Sequence, residues 1–305
     1  MAGDSSIVLY AALAANLGIA VTKGIAATIT GSAAMFSEAV HSLVDTTNQL
    51  LLLYGQRRAK RPADEMHPLG YGQELYFWSF VVAILVFSLG AGVSVYEGVH
   101  AIRAPEEVSR PVINYIVLGI AFVFEGASWT IALRAFNRQK GDRGWWQAFR
   151  DSKDPAVFIP LFEDSAALTG VLIAAGALGL AHALDAPVID GVGSILIGVL
   201  LATVAFLLAR ESKHLLIGEQ ADPALGRDLR RWAERQEGVV AAVEVITLQL
   251  APDQIAAILS VDIDDDLNGA GAEALVMRLE RDAKAAFEPL SRVFVRPHDS
   301  PVAAG

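Results

Sequence analysis

Glu38, His41 and Asp45 stand in the run Glu-Ala-Val-His-Ser-Leu-Val-Asp, inside an otherwise apolar stretch. His41 and Asp45 are spaced i, i+4, and Glu38 lies three residues before His41, so a helix sets all three on one face. Imidazole and carboxylate at that spacing suit one ion of the zinc class, for which nitrogen and oxygen ligands at about 2.0–2.2 Å in a tetrahedron are usual. One helix does not complete such a shell. A second must contribute, and Asp164 is the expected partner. Glu163 is its neighbour, but successive helical residues point about 100° apart, so only one of the two aims at the same spot. Glu38 has a plainer alternative as a cap or hydrogen-bonding group between helices. No cysteine is present, which excludes disulfides and thiolate ligands.

The apolar stretches also hold Glu97, Glu125, Asp190 and His100, against a single base, Lys23. Each ionisable group near a bilayer centre costs about 2.5–3.5 kcal/mol. Three or four of them cost roughly 10 kcal/mol, comparable with the whole stability of a domain. The excess of acids implies a compensating cation that is not part of the chain. Glu125 reads equally as a proton relay or as a partner of Lys23. Asn16 and Asn48 are polar groups able to bridge helices or to serve as ligands. Glu97, His100 and Asp190 lie near the outer interface and are expected to be solvated.

These residues need membrane-spanning elements to hold them. The chain is 53% hydrophobic and only 19% charged, too little charge for a soluble protein of its length. Six apolar stretches, near 7–29, 33–56, 75–102, 112–133, 156–184 and 187–209, are each long enough to cross about 30 Å as a helix. Gly31-Ser32 and Asp185-Ala186-Pro187 turn the first and last pairs into hairpins. The start of the chain lacks a basic region, so no signal peptide is expected. Arg57, Arg58, Lys60 and Arg61 follow the second stretch. Arg134, Arg138, Lys140, Arg143, Arg150 and Lys153 surround the fourth-to-fifth connector, and Arg210 and Lys213 follow the sixth. The other side has only Arg103 and Arg110, which predicts cytoplasmic termini. Trp145, Trp146 and Phe149 read as an interfacial anchor beside the basic connector.

After residue 212 the pattern changes. Leu225, Leu229 and Trp232 recur at helical spacing; Ile246, Leu248 and Leu250, then Leu259, Val261 and Ile263, alternate with polar residues; Leu275, Leu279, Ala283 and Ala286 mark a second helix, and 293–295 a last strand. The predicted architecture is a membrane all-α bundle of six helices over 1–212. It is followed by a cytoplasmic α+β domain of order αββαβ, ferredoxin-like, over 213–305. A net charge of −10 with no basic face argues against nucleic acid.

Taken with GSAAMFSEAVHSLVDTTNQ, HPLGYG at 67–72 and DSAALTGVLIAAGALG, the pattern resembles the cation diffusion facilitator family of metal/proton antiporters over nearly the whole chain. The similarity is greatest to the branch of the ninth animal zinc transporter. The resemblance implies six spans and a metal pair at His41 and Asp45, with Asp164 as a further ligand. It also implies a homodimer. The family's fifth helix carries a histidine where this chain has Pro160, leaving the fourth ligand open among Glu163, Asn48, water or a backbone carbonyl freed by the proline. One nitrogen among oxygens is a harder site, so Mn²⁺, Fe²⁺ and Co²⁺ stand beside Zn²⁺. The second histidine of the family's loop site is Tyr71 here, with His67 retained. The C-terminal part has only His298, and Asp262, Asp264, Asp265 and Asp266 read as a solvated turn.

The function expected from this is proton-coupled efflux of a divalent cation by alternating access between the second and fifth helices. The ligands must lose protons to bind metal, and imidazole ordinarily titrates near neutrality. Metal and protons are then the partners, with the metal cargo rather than cofactor, and a bacterial inner membrane the expected setting. A membrane-embedded metal sensor or scaffold is the alternative. An intramembrane hydrolase lacks any HExxH or nucleophile motif, and a channel favours weak multiple sites.

Overall fold

The computed structural model describes residues 2–105, 108, 110–150 and 152–298. Long helices dominate the first two-thirds: α1 (Ala2–Thr30), α2 (Ala33–Ala59), α3 (Glu74–Leu85), a π-helical turn (Val86–Ala91), α4 (Gly92–Arg103), α5 (Pro111–Lys140), α7 (Pro155–Leu184) and α8 (Val188–Ile217), with the short α6 (Trp145–Arg150) before α7. Among the described residues, four stretches are long and apolar enough to cross a membrane: Glu74–Arg103, Pro111–Arg138, Pro155–Leu184 and Val188–Ile217. Helices α1 and α2 stand where the first two spans are expected, and the polar face of α2 makes it the least apolar of the long helices.

Local chemistry sets the helix ends. Gly31 adopts φ 71° and its N–H bonds the carbonyl of Ala27, a left-handed stop that suits glycine. Asp185, also left-handed, ends α7 immediately before Ala186-Pro187. Asp190 corrects the expectation of a solvated acid. It is buried, and its Oδ1 accepts from Ser32 Oγ at 2.7 Å while Oδ2 accepts from the N–H groups of Ala33 and Ala34. An acid on α8 thus caps the start of α2, where amide hydrogens lack helical partners.

Glycine lets α4 and α8 come close. A Cβ on Gly98 would meet the Gly191 carbonyl at 2.6 Å, and one on Gly198 would meet Val95 at the same distance. Ser194 on α8 bridges to α2 and α4, sharing a 2.6 Å bond with Ser37 and donating to the Ser94 carbonyl.

The chain divides into two compact units: residues 1–57 with 77–213, and 58–76 with 214–305. The second contains α9 (Pro223–Ala233), β1 (Val239–Ala251), β2 (Gln254–Ile263), α10 (Gly269–Ala286) and β3 (Leu290–Pro297). The sheet order is β1-β2-β3, with β1 antiparallel to β2 and β2 parallel to β3. Leu229, Leu259, Val261, Leu275, Leu279 and Val293 are among the residues of its core. The sequence assigns residues 58–76 to the membrane domain, yet they pack within this second unit. Gly72 lies so near Leu250 that a Cβ would come 2.7 Å from its carbonyl, and Arg292 reaches the Pro68 carbonyl at 3.4 Å.

Candidate metal site

Helix α2 brings Glu38, His41, Asp45 and Asn48 onto one stripe, because residues 3, 4 and 7 apart recur on the same helical face. Glu38, His41 and Asn48 are buried. Glu38 Oε1, both ring nitrogens of His41, Asp45 Oδ1 and Asn48 Oδ1 are buried side-chain atoms that no protein group hydrogen-bonds. Buried polar atoms are normally paired, so a row of unpaired ones calls for a cause. His41 Nδ1 stands 3.5 Å from Asp45 Oδ1, too far for a good hydrogen bond.

Among the described residues, the one lysine deep in the bundle's polar region is already engaged. Lys23 Nζ, on α1, donates to Glu38 Oε2 at 2.9 Å and to Ser42 Oγ at 2.8 Å, and lies 3.8 Å from Glu125 Oε1. Glu38, a candidate ligand, therefore sits in a buried ion pair. Glu125, left open between two roles, is within reach of the same ammonium.

The expected partner helix is α7. Asp45, Glu163 and Asp164 line one small cavity of about 30 Å³ with Asn16, Ser42, Gln49, Glu125, Ser128 and Pro160. That is room for about one water or a bare ion. Asp164 Oδ2 accepts from Ser128 Oγ at 2.8 Å, and Glu163 Oε1 from Asn48 Nδ2 at 2.6 Å. Both neighbours on α7 thus face this region, with Glu163 turned to α2 and Asp164 to α5. Pro160 lies in the cavity wall, and having no N–H it leaves the Ala156 carbonyl without its usual helical donor.

Two features stand apart from the expected constellation. His41 is buried beside Asp45 without lining the cavity. Among the described residues, no three His, Asp or Glu side chains converge as a ready-made ligand set. Spacing alone did not reveal Ser128, which sits one residue before a tryptophan in an apolar run and holds Asp164. The signal available was a hydroxyl one helical turn from Glu125.

Outside the bundle, Asp64 Oδ2 accepts from Tyr71 Oη at 2.6 Å and its Oδ1 from the His67 N–H at 2.7 Å. The Tyr71 hydroxyl, then the amide, hold the Asp64 carboxyl below its ordinary range, and the same bond pushes Tyr71 up. Arg61 lies over the Tyr71 ring at 4.7 Å. At this loop position the tyrosine makes a closed hydrogen-bonded clip.

The transmembrane-domain profile of the cation efflux family matches residues 9–217. The chain is 32% identical over 266 residues to the mitochondrial proton-coupled zinc antiporter SLC30A9 of Xenopus laevis, covering 87% of this chain and 47% of that protein. It is 34% identical over 192 residues to Metal tolerance protein C4 of Arabidopsis thaliana, covering 62% and 42%. It is 27% identical over 203 residues to the magnetosome protein MamB of Magnetospira, covering 66% and 64%. The chain spans less than half the length of the first two of these. Two of these names point to a mitochondrion and a magnetosome and the third to no compartment, so the expected bacterial inner membrane finds no support among them. The match over most of the membrane bundle, including the helices that carry His41, Asp45 and Asp164, places the chain in the cation efflux family, on the SLC30A9 branch.

Proposed function

We propose that this chain is a secondary transporter that moves a divalent metal cation out across a membrane in exchange for protons. Zn²⁺ is the first expectation and Mn²⁺, Fe²⁺ and Co²⁺ the alternatives. The observation that carries the reading is the row of unpartnered buried atoms on His41, Asp45 and Asn48 of α2, of which Asp45 lines one cavity with the carboxylates of Glu163 and Asp164. Lys23 offsets Glu38 and reaches toward Glu125. Asp45, Glu163 and Asp164 are left to be neutralised by something that arrives. A divalent ion or protons meet that requirement in turn, which is the physical content of exchange.

In this reading His41, Asp45 and Asp164 are the principal ligands, with Glu163 and Asn48 supplementing them; Glu38 positions Lys23 instead of binding metal. The candidate ligands are near one another without converging, so binding draws α2 and α7 together. Release on the other face follows when they separate. The family and the names of the relatives support metal transport, and all six long helices are taken to span, with both termini cytoplasmic. The α+β unit is taken as a ferredoxin-like dimerisation module.

The test is zinc uptake by proteoliposomes with and without an imposed pH gradient. The expected result is accumulation that follows the gradient and reverses when it is inverted. Metal binding with no flux would instead make the protein a sensor or scaffold, and flux blind to the gradient would remove the proton coupling.

A further inference from the structure

Three carboxylates of the metal cavity stand on α2 and α7, and a fourth comes from α5. Glu125 lines the same space of about 30 Å³ as Asp45, Glu163 and Asp164. It sits at the midpoint of α5 (Pro111–Lys140), three residues before Ser128, and that spacing sets both on the face of the helix that walls the cavity. Ser128 is committed, since its hydroxyl donates to Asp164 Oδ2 at 2.8 Å. Glu125 is not.

Lys23 does not account for this acid. Its ammonium donates to Glu38 Oε2 at 2.9 Å and to Ser42 Oγ at 2.8 Å, whereas Glu125 Oε1 is 3.8 Å away, beyond hydrogen-bonding reach. One positive charge neutralises one carboxylate, and Glu38, fully buried and in direct contact, has the first claim on it. Lys23 thus backs the cavity wall through Ser42 and Glu125, both of which line it. An ionised carboxylate at the middle of a membrane-depth helix is costly unless matched, and the cavity in front of Glu125 is where a match can arrive.

The donor chemistry of that cavity narrows what arrives. Among the described residues its charged lining groups are carboxylates alone, with the hydroxyls of Ser42 and Ser128 beside them. Carboxylate oxygen suits Mn²⁺, while imidazole suits Zn²⁺. We propose that Glu125 is a ligand of the transported cation, contributed by α5, and that it tilts the site toward oxygen-preferring ions such as Mn²⁺. This rests on the transport reading above and widens the site from two helices to three.

The test is equilibrium binding to the full chain in detergent. A fluorescent chelator competes for Zn²⁺, electron paramagnetic resonance counts free Mn²⁺, and thermal unfolding checks that each variant is folded. Groups that merely orient a ligand are worth about 10–100-fold in affinity, so Glu125→Gln should weaken both metals by about tenfold or more, Mn²⁺ the more strongly. The loss should be undiminished when Lys23→Met/Glu38→Gln is the background. Glu125→His, which exchanges oxygen for nitrogen, should move the preference toward Zn²⁺. Wild-type affinity in folded Glu125→Gln would overturn the proposal, as would an unchanged Zn²⁺/Mn²⁺ preference in Glu125→His. A loss that vanishes once Lys23 is gone would also overturn it, by making Glu125 only that lysine's partner. These three results leave the transport reading standing, whereas a wild-type chain that binds neither metal would remove both.

Discussion

The buried contact between Lys23 and Glu38 decides how many negative charges a metal must offset. Both side chains are fully buried and 2.9 Å apart. Lys23→Met leaves Glu38 without its counter-charge, and breaking a buried pair from one side costs about 3–5 kcal/mol. Thermal unfolding in detergent should show that loss, with most of it recovered in Lys23→Met/Glu38→Gln. A double variant no more stable than the single one would mean that the pair is not the source. At this scale the sequence was informative about residue type and helical face. The i, i+4 spacing put His41 and Asp45 together, and the stripe continues to Asn48. What it did not disclose was pairing across helices: that Glu38 answers Lys23, or that Asp190 caps α2, depends on which helices are neighbours. No local pattern encodes that.

Among elements, the close approach of α2 and α7 depends on a missing side chain. A Cβ on Gly170 would run into Glu38 Oε1, whereas one on Gly176, two turns on, meets nothing within 4 Å. Gly170→Ala should therefore destabilise the fold by about 1–3 kcal/mol and reduce flux by disturbing the α2–α7 spacing. Gly176→Ala should be neutral or stabilising by up to about 1 kcal/mol, since alanine is the better helix former. Equal tolerance of both substitutions in unfolding and flux assays would contradict this packing. The Asp64 clip gives a pH-dependent expectation in the loop segment. Its carboxyl is held below the ordinary range, so the clip's contribution is complete above about pH 4 and fades as acid protonates Asp64. Amide exchange at His67, corrected for the intrinsic rate, should quicken below that pH in the wild type and already at neutrality in Tyr71→Phe. Helix existence and turns were readable from apolar runs and from Gly31 and Asp185-Ala186-Pro187. The π-helical turn at Val86–Ala91 was not, because its sequence is as apolar as the helices on either side.

For the molecule as a whole, composition and periodicity separate a membrane bundle from an α+β unit of order αββαβ. Residues 58–76 escaped that division. Their Pro, Gly and charge content reads as a connector, and contacts such as the approach of Gly72 to Leu250 and of Arg292 to the Pro68 carbonyl reveal that they build the second unit. The charge distribution has one consequence at this scale: among the described residues the acids of the bundle outnumber its one deep base, Lys23, so the proposed transport predicts that a bound cation stabilises the fold. Metal added to the purified protein should raise its unfolding temperature, with the increase following metal concentration as expected for a ligand of the folded state. An unchanged transition at saturating Zn²⁺, Mn²⁺, Fe²⁺ and Co²⁺ would oppose a binding site in the bundle.

The most direct measurement of the central claim is competitive metal flux into proteoliposomes, with Zn²⁺, Mn²⁺, Fe²⁺ and Co²⁺ offered together to wild type, Asp45→Ala and Asp164→Ala. Partners that merely orient a metal ligand are worth about 10–100-fold, so deleting a ligand itself should lower flux by at least that factor. Both variants should remain folded, because each also removes a buried charge. Wild-type flux and metal preference in either folded variant would contradict the assignment of Asp45 and Asp164 to the cation's path.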